Sequence, residues 1–123
     1  KDISVVGTSH TLEIAIEAVD ELAKEGISAD VIDLRTLKPL DKEIIFESVK
    51  RTGRLLVVDT GWQLGGVCAE ICCMVAEKAF DDLKGPVRRV GLPDVPTPAG
   101  FTLEQYFYPD NANITQVIKE LVL

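Results

Sequence analysis

The stretch Asp59-Thr60-Gly61-Trp62-Gln63-Leu64-Gly65-Gly66 follows the apolar run Arg54–Asp59 and precedes a long apolar segment. A glycine-rich turn between a strand and a helix is where backbone amides cradle phosphate. Such loops need a lysine followed by Ser or Thr, or a G-x-G-x-x-G spacing. This stretch has neither, and the bulky Trp62 stands where a phosphate would lie. The helix start beyond it still attracts an anion, so a small-ligand role stays open. The competing reading is an interface, because tryptophan is strongly enriched among residues that dominate binding energy.

No other group completes a catalytic set. His10 is the only histidine, and a general base needs a partner within reach that the sequence does not fix. Its neighbours Ser9 and Thr11 are ordinary N-cap residues. Asp33 and Asp59 each end an apolar run. Carboxylates there serve acid/base or metal chemistry, or simply cap a turn. Arg88 and Arg89 are expected on opposite faces of a strand, one of them paired with an acid. Cys68, Cys72 and Cys73 fall in one predicted helix, with no histidine nearby to complete a zinc site. They read as buried free thiols, which suits a reducing, cytosol-like compartment. The residues alone therefore give no complete catalytic constellation and no metal site, while the small-ligand reading of the glycine turn stays open.

The bulk properties restrict the partners. A chain of 123 residues is one domain's length. A domain of that size buries roughly two-thirds of its unfolded surface, enough for its own core. Hydrophobic residues make up 46% and charged residues 27%, which is a globular composition. A net charge of −7 repels phosphate backbones, which argues against nucleic acid. No apolar run approaches the roughly 18 residues of a membrane span. The chain starts at Lys1 with no methionine or signal-like segment, as a cut or processed chain would.

The elements that must position these residues alternate. Ile3–Gly7, Ala29–Leu34, Arg54–Asp59 and Val87–Leu92 read as strands. Helices are predicted over about Thr11–Lys24, Lys42–Arg51 and Gly66–Phe80, with a short one at Leu103–Tyr106 and a last one from an N-cap at Asn113. The first should bury Leu12, Ala15, Ile16, Val19, Leu22 and Ala23, and the second Ile44, Ile45 and Val49. Asp41 should cap the second and Gly53 end it. The third is apolar nearly all round and is expected to be deeply buried, or buried against a second chain. The last should bury Ile114, Val117, Ile118 and Leu121. Pro93–Gly100 holds three prolines and must be an extended loop. Strand–helix alternation implies a three-layer α/β/α fold with a mainly parallel sheet. Ligands of such sheets gather at the carboxyl ends of the strands. Here those ends carry Gly7–Thr11, Arg35–Pro39, Asp59–Gly66 and Pro93–Pro98.

Four blocks, Asp33–Asp41 ("DLRTLKPLD"), Thr52–Asp59 ("TGRLLVVD"), Gly61–Ile71 ("GWQLGGVCAEI") and Pro86–Pro98 ("PVRRVGLPDVPTP"), occur here in fixed order and spacing. On them the whole chain resembles the C-terminal domain of the transketolase superfamily. It is most similar to that of the beta subunit of thiamine-diphosphate-dependent 2-oxo acid dehydrogenases acting on pyruvate or branched-chain substrates. The resemblance implies that residues 1–123 are one domain of a longer beta subunit, serving assembly rather than catalysis, and that this chain carries no catalytic or cofactor-binding residue. Thiamine diphosphate and magnesium would then be held elsewhere in the parent enzyme. Implied partners are the alpha subunit, a second beta subunit and the subunit-binding domain of the lipoyl acyltransferase. Location would be the cytoplasm, or the mitochondrial matrix in a eukaryote. Trp62, Gly65, Gly66 and Asp94 become the interface candidates. The family's antiparallel edge strand would precede Lys1, leaving four parallel strands in the order 2-1-3-4 with the second as a raw edge. Rival readings are the C-terminal domain of transketolase or deoxyxylulose-phosphate synthase, and a non-enzymatic flavodoxin-like signalling or binding module. For a phospho-receiver, Asp59 is placed like the acceptor, but "GTSHT" stands where its acidic pair belongs.

Overall fold

Runs of β-branched and leucine side chains build the sheet in the computed structural model, which describes residues 1–123. The strands are β1 (Ile3–Gly7), β2 (Ala29–Asp33), β3 (Leu55–Trp62) and β4 (Arg88–Leu92). All pairings are parallel, and the order is β2-β1-β3-β4. The expected order and the free outer side of β2 are thus both observed. Leu55, Leu56, Val57 and Val58 are buried in succession, as a strand covered on both faces requires.

The helices are α1 (Ser9–Lys24), α2 (Lys42–Thr52), α3 (Val67–Lys78), the single turn α4 (Phe101–Glu104) and α5 (Asn111–Val122). Ile3, Val5, Leu56, Val58 and Val90 point to one face, against α1 and α5. Val6, Ile32, Leu55 and Val57 point to the other, against α2 and α3. No helix is long and apolar enough to cross a membrane.

Several expected faces are rotated. On α1 the buried positions are Thr11, Leu12, Ala15, Ala18 and Leu22, whereas Ile16 is 43% exposed and Ala23 is exposed. The alanines lie where α1 packs against the sheet and α5, and their small side chains permit close approach. On α2 the buried stripe is Ile45, Ser48, Val49 and Thr52, and Ile44 faces out. Two stripe members are hydroxylic because Ser4 of β1 sits beneath them, its Oγ 2.7 Å from both Ser48 Oγ and Thr52 Oγ1. Mutual hydrogen bonding removes the penalty of burying these groups. Asp41 accepts from the Ile44 amide at 3.3 Å, and Gly53 ends the helix, as expected.

α3 is not deeply buried on all sides. Cys68, Ile71, Cys72 and Val75 face the sheet, while Glu70, Cys73, Ala76 and Glu77 face out. Its apolar outer positions are small or thiol-bearing, so the composition overstated the buried stripe. α5 starts earlier than expected, because Asp110 rather than Asn113 is the N-cap. Asp110 accepts from the Asn113 amide at 2.8 Å, and Asn113 Oδ1 accepts from the Asp110 amide. This reciprocal pair is a capping box with asparagine at its third position.

Candidate functional site

β3 continues three residues past Asp59 and so carries Trp62 within the strand instead of on a loop. Val58 pairs with Val90 and Trp62 with Leu92, which leaves Asp59, Thr60 and Gly61 opposite Gly91 alone. Such an irregularity bends a strand and re-aims the side chains beyond it. Pairing resumes through the Gln63 amide, which donates to Leu92 O at 3.0 Å. The chain then turns sharply into α3. Gly65 has φ +67°, and a Cβ on Gly66 would lie 2.0 Å from the Trp62 carbonyl oxygen. Both glycines are therefore demanded by the turn itself.

Trp62 is 41% exposed and meets Phe107 edge-to-face, with ring centroids 6.0 Å apart. Phe107 is buried and meets Tyr108 in the same manner at 5.2 Å. Trp62 also lines a shallow cavity of about 410 Å³ with Leu64, Asp94, Val95 and Pro96. The fold thus brings Trp62, at the end of β3, together with Asp94 of the proline loop after β4. Gly65 and Gly66 lie just beyond Leu64 and do not line this cavity. A second depression adjoins it, lined by Pro93, Val95, Pro96, Pro98, Leu103, Tyr106 and Phe107.

Around these depressions the surface is unusually apolar. Phe101 is 83% and Tyr106 82% exposed, and Leu64, Val95, Leu103 and Tyr108 are exposed as well. Contiguous exposed apolar surface of this kind marks a contact site. Sequence reasoning singled out Trp62 and Asp94 but missed Phe101, Leu103, Tyr106 and Tyr108. The available signal was their density in Phe101–Tyr108, four aromatics in eight residues, beside a helix too short to bury them.

The remaining candidates are scattered. His10 is exposed, with Nδ1 3.1 Å from Glu13 Oε2. Asp33 pairs with Arg35, two residues on in the chain. Asp59 accepts a hydrogen bond from Thr8 Oγ1 at 2.8 Å, tying β3 to the residue that follows β1. Arg88 pairs with Glu120 at 3.3 Å, as expected for one of the two arginines. No three His, Cys, Asp or Glu side chains converge as a metal site. All three cysteines are free. Burial, with a smaller push from Asp59, raises the Cys68 thiol to about 12. Burial likewise raises Cys72 to about 11. Cys73 corrects the expectation of three buried thiols, since it lies on the outer face of α3.

Residues 1–114 match the family model described as transketolase, C-terminal domain. The chain is 42% identical over 121 residues to a mitochondrial pyruvate dehydrogenase E1 component subunit beta of Dictyostelium discoideum, covering 98% of this chain and 34% of that protein. It is 39% identical over 119 residues to the pyruvate dehydrogenase E1 component subunit beta of Rickettsia felis, covering 97% and 36%. The mitochondrial E1 subunit beta of Saccharomyces cerevisiae is 42% identical over 123 residues, covering 98% and 34%. The chain therefore spans about a third of the length of the curated relatives it matches. Its fold superposes with a TM-score of 0.84 and 27% identity on a solved structure described as a split gene transketolase, inactive beta4 tetramer, covering 99% of this chain and 38% of that one. A family match through residue 114 and a sheet that superposes throughout agree with the four sequence blocks, and the chain belongs to the transketolase C-terminal domain family.

Proposed function

We propose that residues 1–123 form the C-terminal assembly domain of the beta subunit of a thiamine-diphosphate-dependent 2-oxo acid dehydrogenase. The observation that carries this is the exposed apolar face built around Trp62, Val95, Leu103 and Tyr106, with Asp94 at its rim. The names of the curated relatives support the choice of enzyme. The parent would decarboxylate pyruvate or a branched-chain 2-oxo acid and pass the acyl group to a lipoyl arm. Its alpha subunit, a second beta subunit and the acyltransferase's subunit-binding domain are the proposed partners. In a eukaryote the reading implies the mitochondrial matrix, and in a bacterium the cytoplasm.

The residues here do not fit thiamine diphosphate and magnesium. A magnesium diphosphate needs converging oxygen ligands, and no acidic cluster supplies them. The glycine turn is accounted for by its own geometry, a positive φ at Gly65 and the approach of the Trp62 carbonyl to Gly66. No chemical step is therefore assigned to this chain. A second reading, the same domain of a transketolase, is favoured by the split-gene transketolase superposition alone.

The test is assembly of the full-length subunit. Trp62→Ala should weaken it by about 2 kcal/mol or more if Trp62 anchors the contact. Asp94→Asn should chiefly slow association and reduce its salt dependence, as expected for a rim charge. Normal tetramer assembly and acyltransferase binding in both variants refute the assignment. A lower melting temperature of the isolated domain without a binding defect would reduce Trp62 to a lid over Phe107.

A further inference from the structure

β4 is the second open edge of the sheet, since it pairs with β3 and with no other strand. An edge strand presents N–H and C=O groups along its outer side that no neighbouring strand pairs; on β4 one of them, the Gly91 carbonyl, accepts from Gln63 Nε2 at 3.3 Å and keeps its second lone pair for a partner. Beside this edge the segment Tyr106–Pro109 and α5 stand off, leaving a groove of about 570 Å³. Arg88 and Arg89 line it, together with Gln63, Tyr106, Tyr108 and Asn113. Both arginines are exposed at the start of the strand, in a chain whose net charge is −7. Arg88 holds Glu120 in a surface pair, while Arg89 makes no ion pair. The site is thus a strand edge, a groove beside it, and a local excess of guanidinium.

We propose that the β4 edge docks an extended, acidic segment of a partner polypeptide as an added strand. Main-chain hydrogen bonds along the edge would supply affinity, and side chains alternating between the faces would supply specificity. Because Arg88 and Arg89 face opposite sides of the sheet, an added strand needs two adjacent acids to meet both. The positions beside Val90 and Leu92 then favour β-branched residues. Arginine recognises carboxylates through a planar fork, which also fixes the register. A second copy of this chain is a poorer occupant. A two-fold mate on the same edge would add as an antiparallel strand, setting Arg88 opposite Leu92 and Arg89 opposite Gly91, so it would bring no acid to either arginine. This groove shares no lining residue with the Trp62–Asp94 cavity, although it meets the adjoining depression at Pro93, Tyr106 and Phe107, and the proposal does not depend on the identity of the parent enzyme.

The test uses this chain and end-blocked fluorescent pentapeptides, matched to the five residues of β4. The probes are Glu-Glu-Val-Thr-Val and its reverse, which cover parallel and antiparallel addition. One of them should bind, with amide shifts concentrated at β4 and Tyr106–Pro109. Arg89→Gln should weaken binding about tenfold, the loss of one charge-assisted hydrogen bond, and Arg89→Lys should retain part of it. N-methylation of alternate peptide amides should abolish binding, because strand pairing needs those donors. Glutamine in place of both glutamates should also weaken it. The idea is overturned if neither peptide binds at millimolar concentration, or if the N-methylated peptide binds equally well. Shifts located at β2, or equal competition by a single-stranded oligonucleotide, overturn it too.

Discussion

Cys68 and Cys72 show how far burial alone changes a side chain's chemistry. Each thiolate would have to form in a tightly packed interior, so both thiols are held well above the ordinary 9.0. Only the thiolate is nucleophilic. At pH 8 the native chain should therefore react with iodoacetamide at Cys73 alone, and at all three cysteines once denatured. Equal labelling of Cys68 in the native state, read by peptide mass, would refute the packing described here. The same shift fixes a sign for stability. An acid whose folded pKa is raised contributes stability below its unfolded pKa and loses it as pH rises through the window above 9.0. Residue-level legibility was uneven. Trp62 stood out by residue type, whereas Asp94 came only with the family resemblance of the proline loop. Ile16 and Ile44 were misplaced because a hydrophobic count gives a buried serine no credit and an exposed isoleucine too much. Ser48 and Thr52 occupy the core only because Ser4 waits under them, a contact between positions 44 and 48 residues apart that no local window contains.

At the scale of elements, the order of the sheet was legible because alternation and short loops allow few topologies. The length of β3 was not, because Gly61 and the glycines after Trp62 read as a turn. The irregular pairing opposite Gly91 is what lets the strand run on. The open edge of β2 carries a prediction. Ala29–Asp33 pairs only with β1, and Val31 is half-buried beside it. The edge is partly guarded by Asp30, which accepts from Ser48 at 3.0 Å and from Arg51 Nε at 2.9 Å. Burial works against ionisation of Asp30, but the bonds from Arg51 and Ser48 outweigh it and hold the carboxyl below its ordinary range. One charge drawn inward toward α2 leaves the rest of the edge as a template for another chain. The isolated chain should associate through β2, or be less stable than a version extended upstream of Lys1 by the strand the family resemblance implies. Sedimentation equilibrium and thermal melts decide it. A strictly monomeric chain as stable as the extended version counts against the raw edge.

For the whole molecule, two readings of the carboxyl ends of the strands compete, a cofactor site and a contact surface, and calorimetry separates them. A micromolar dissociation constant corresponds to about −8.2 kcal/mol. For a diphosphate ligand in water that requires a metal ion or several preorganised donors facing one point. In this chain the ionisable groups at those ends are used up in pairs or stand apart: Asp59 with Thr8, Asp33 with Arg35, His10 with Glu13. The overall charge of −7 repels the ligand further. What those ends offer in its place is apolar area, from Trp62 across the proline loop to Tyr106. A loop stiffened by three prolines loses little freedom when it docks, which favours a macromolecular contact. The isolated chain should accordingly give no titratable heat with thiamine diphosphate and magnesium, and should release no carbon dioxide from pyruvate or branched-chain 2-oxo acids. On the proposed function, joining it to the rest of a beta subunit and adding an alpha subunit should supply both. Micromolar binding by residues 1–123 alone would sink the assembly reading and return the glycine-rich stretch after β3 to the status of a cofactor loop.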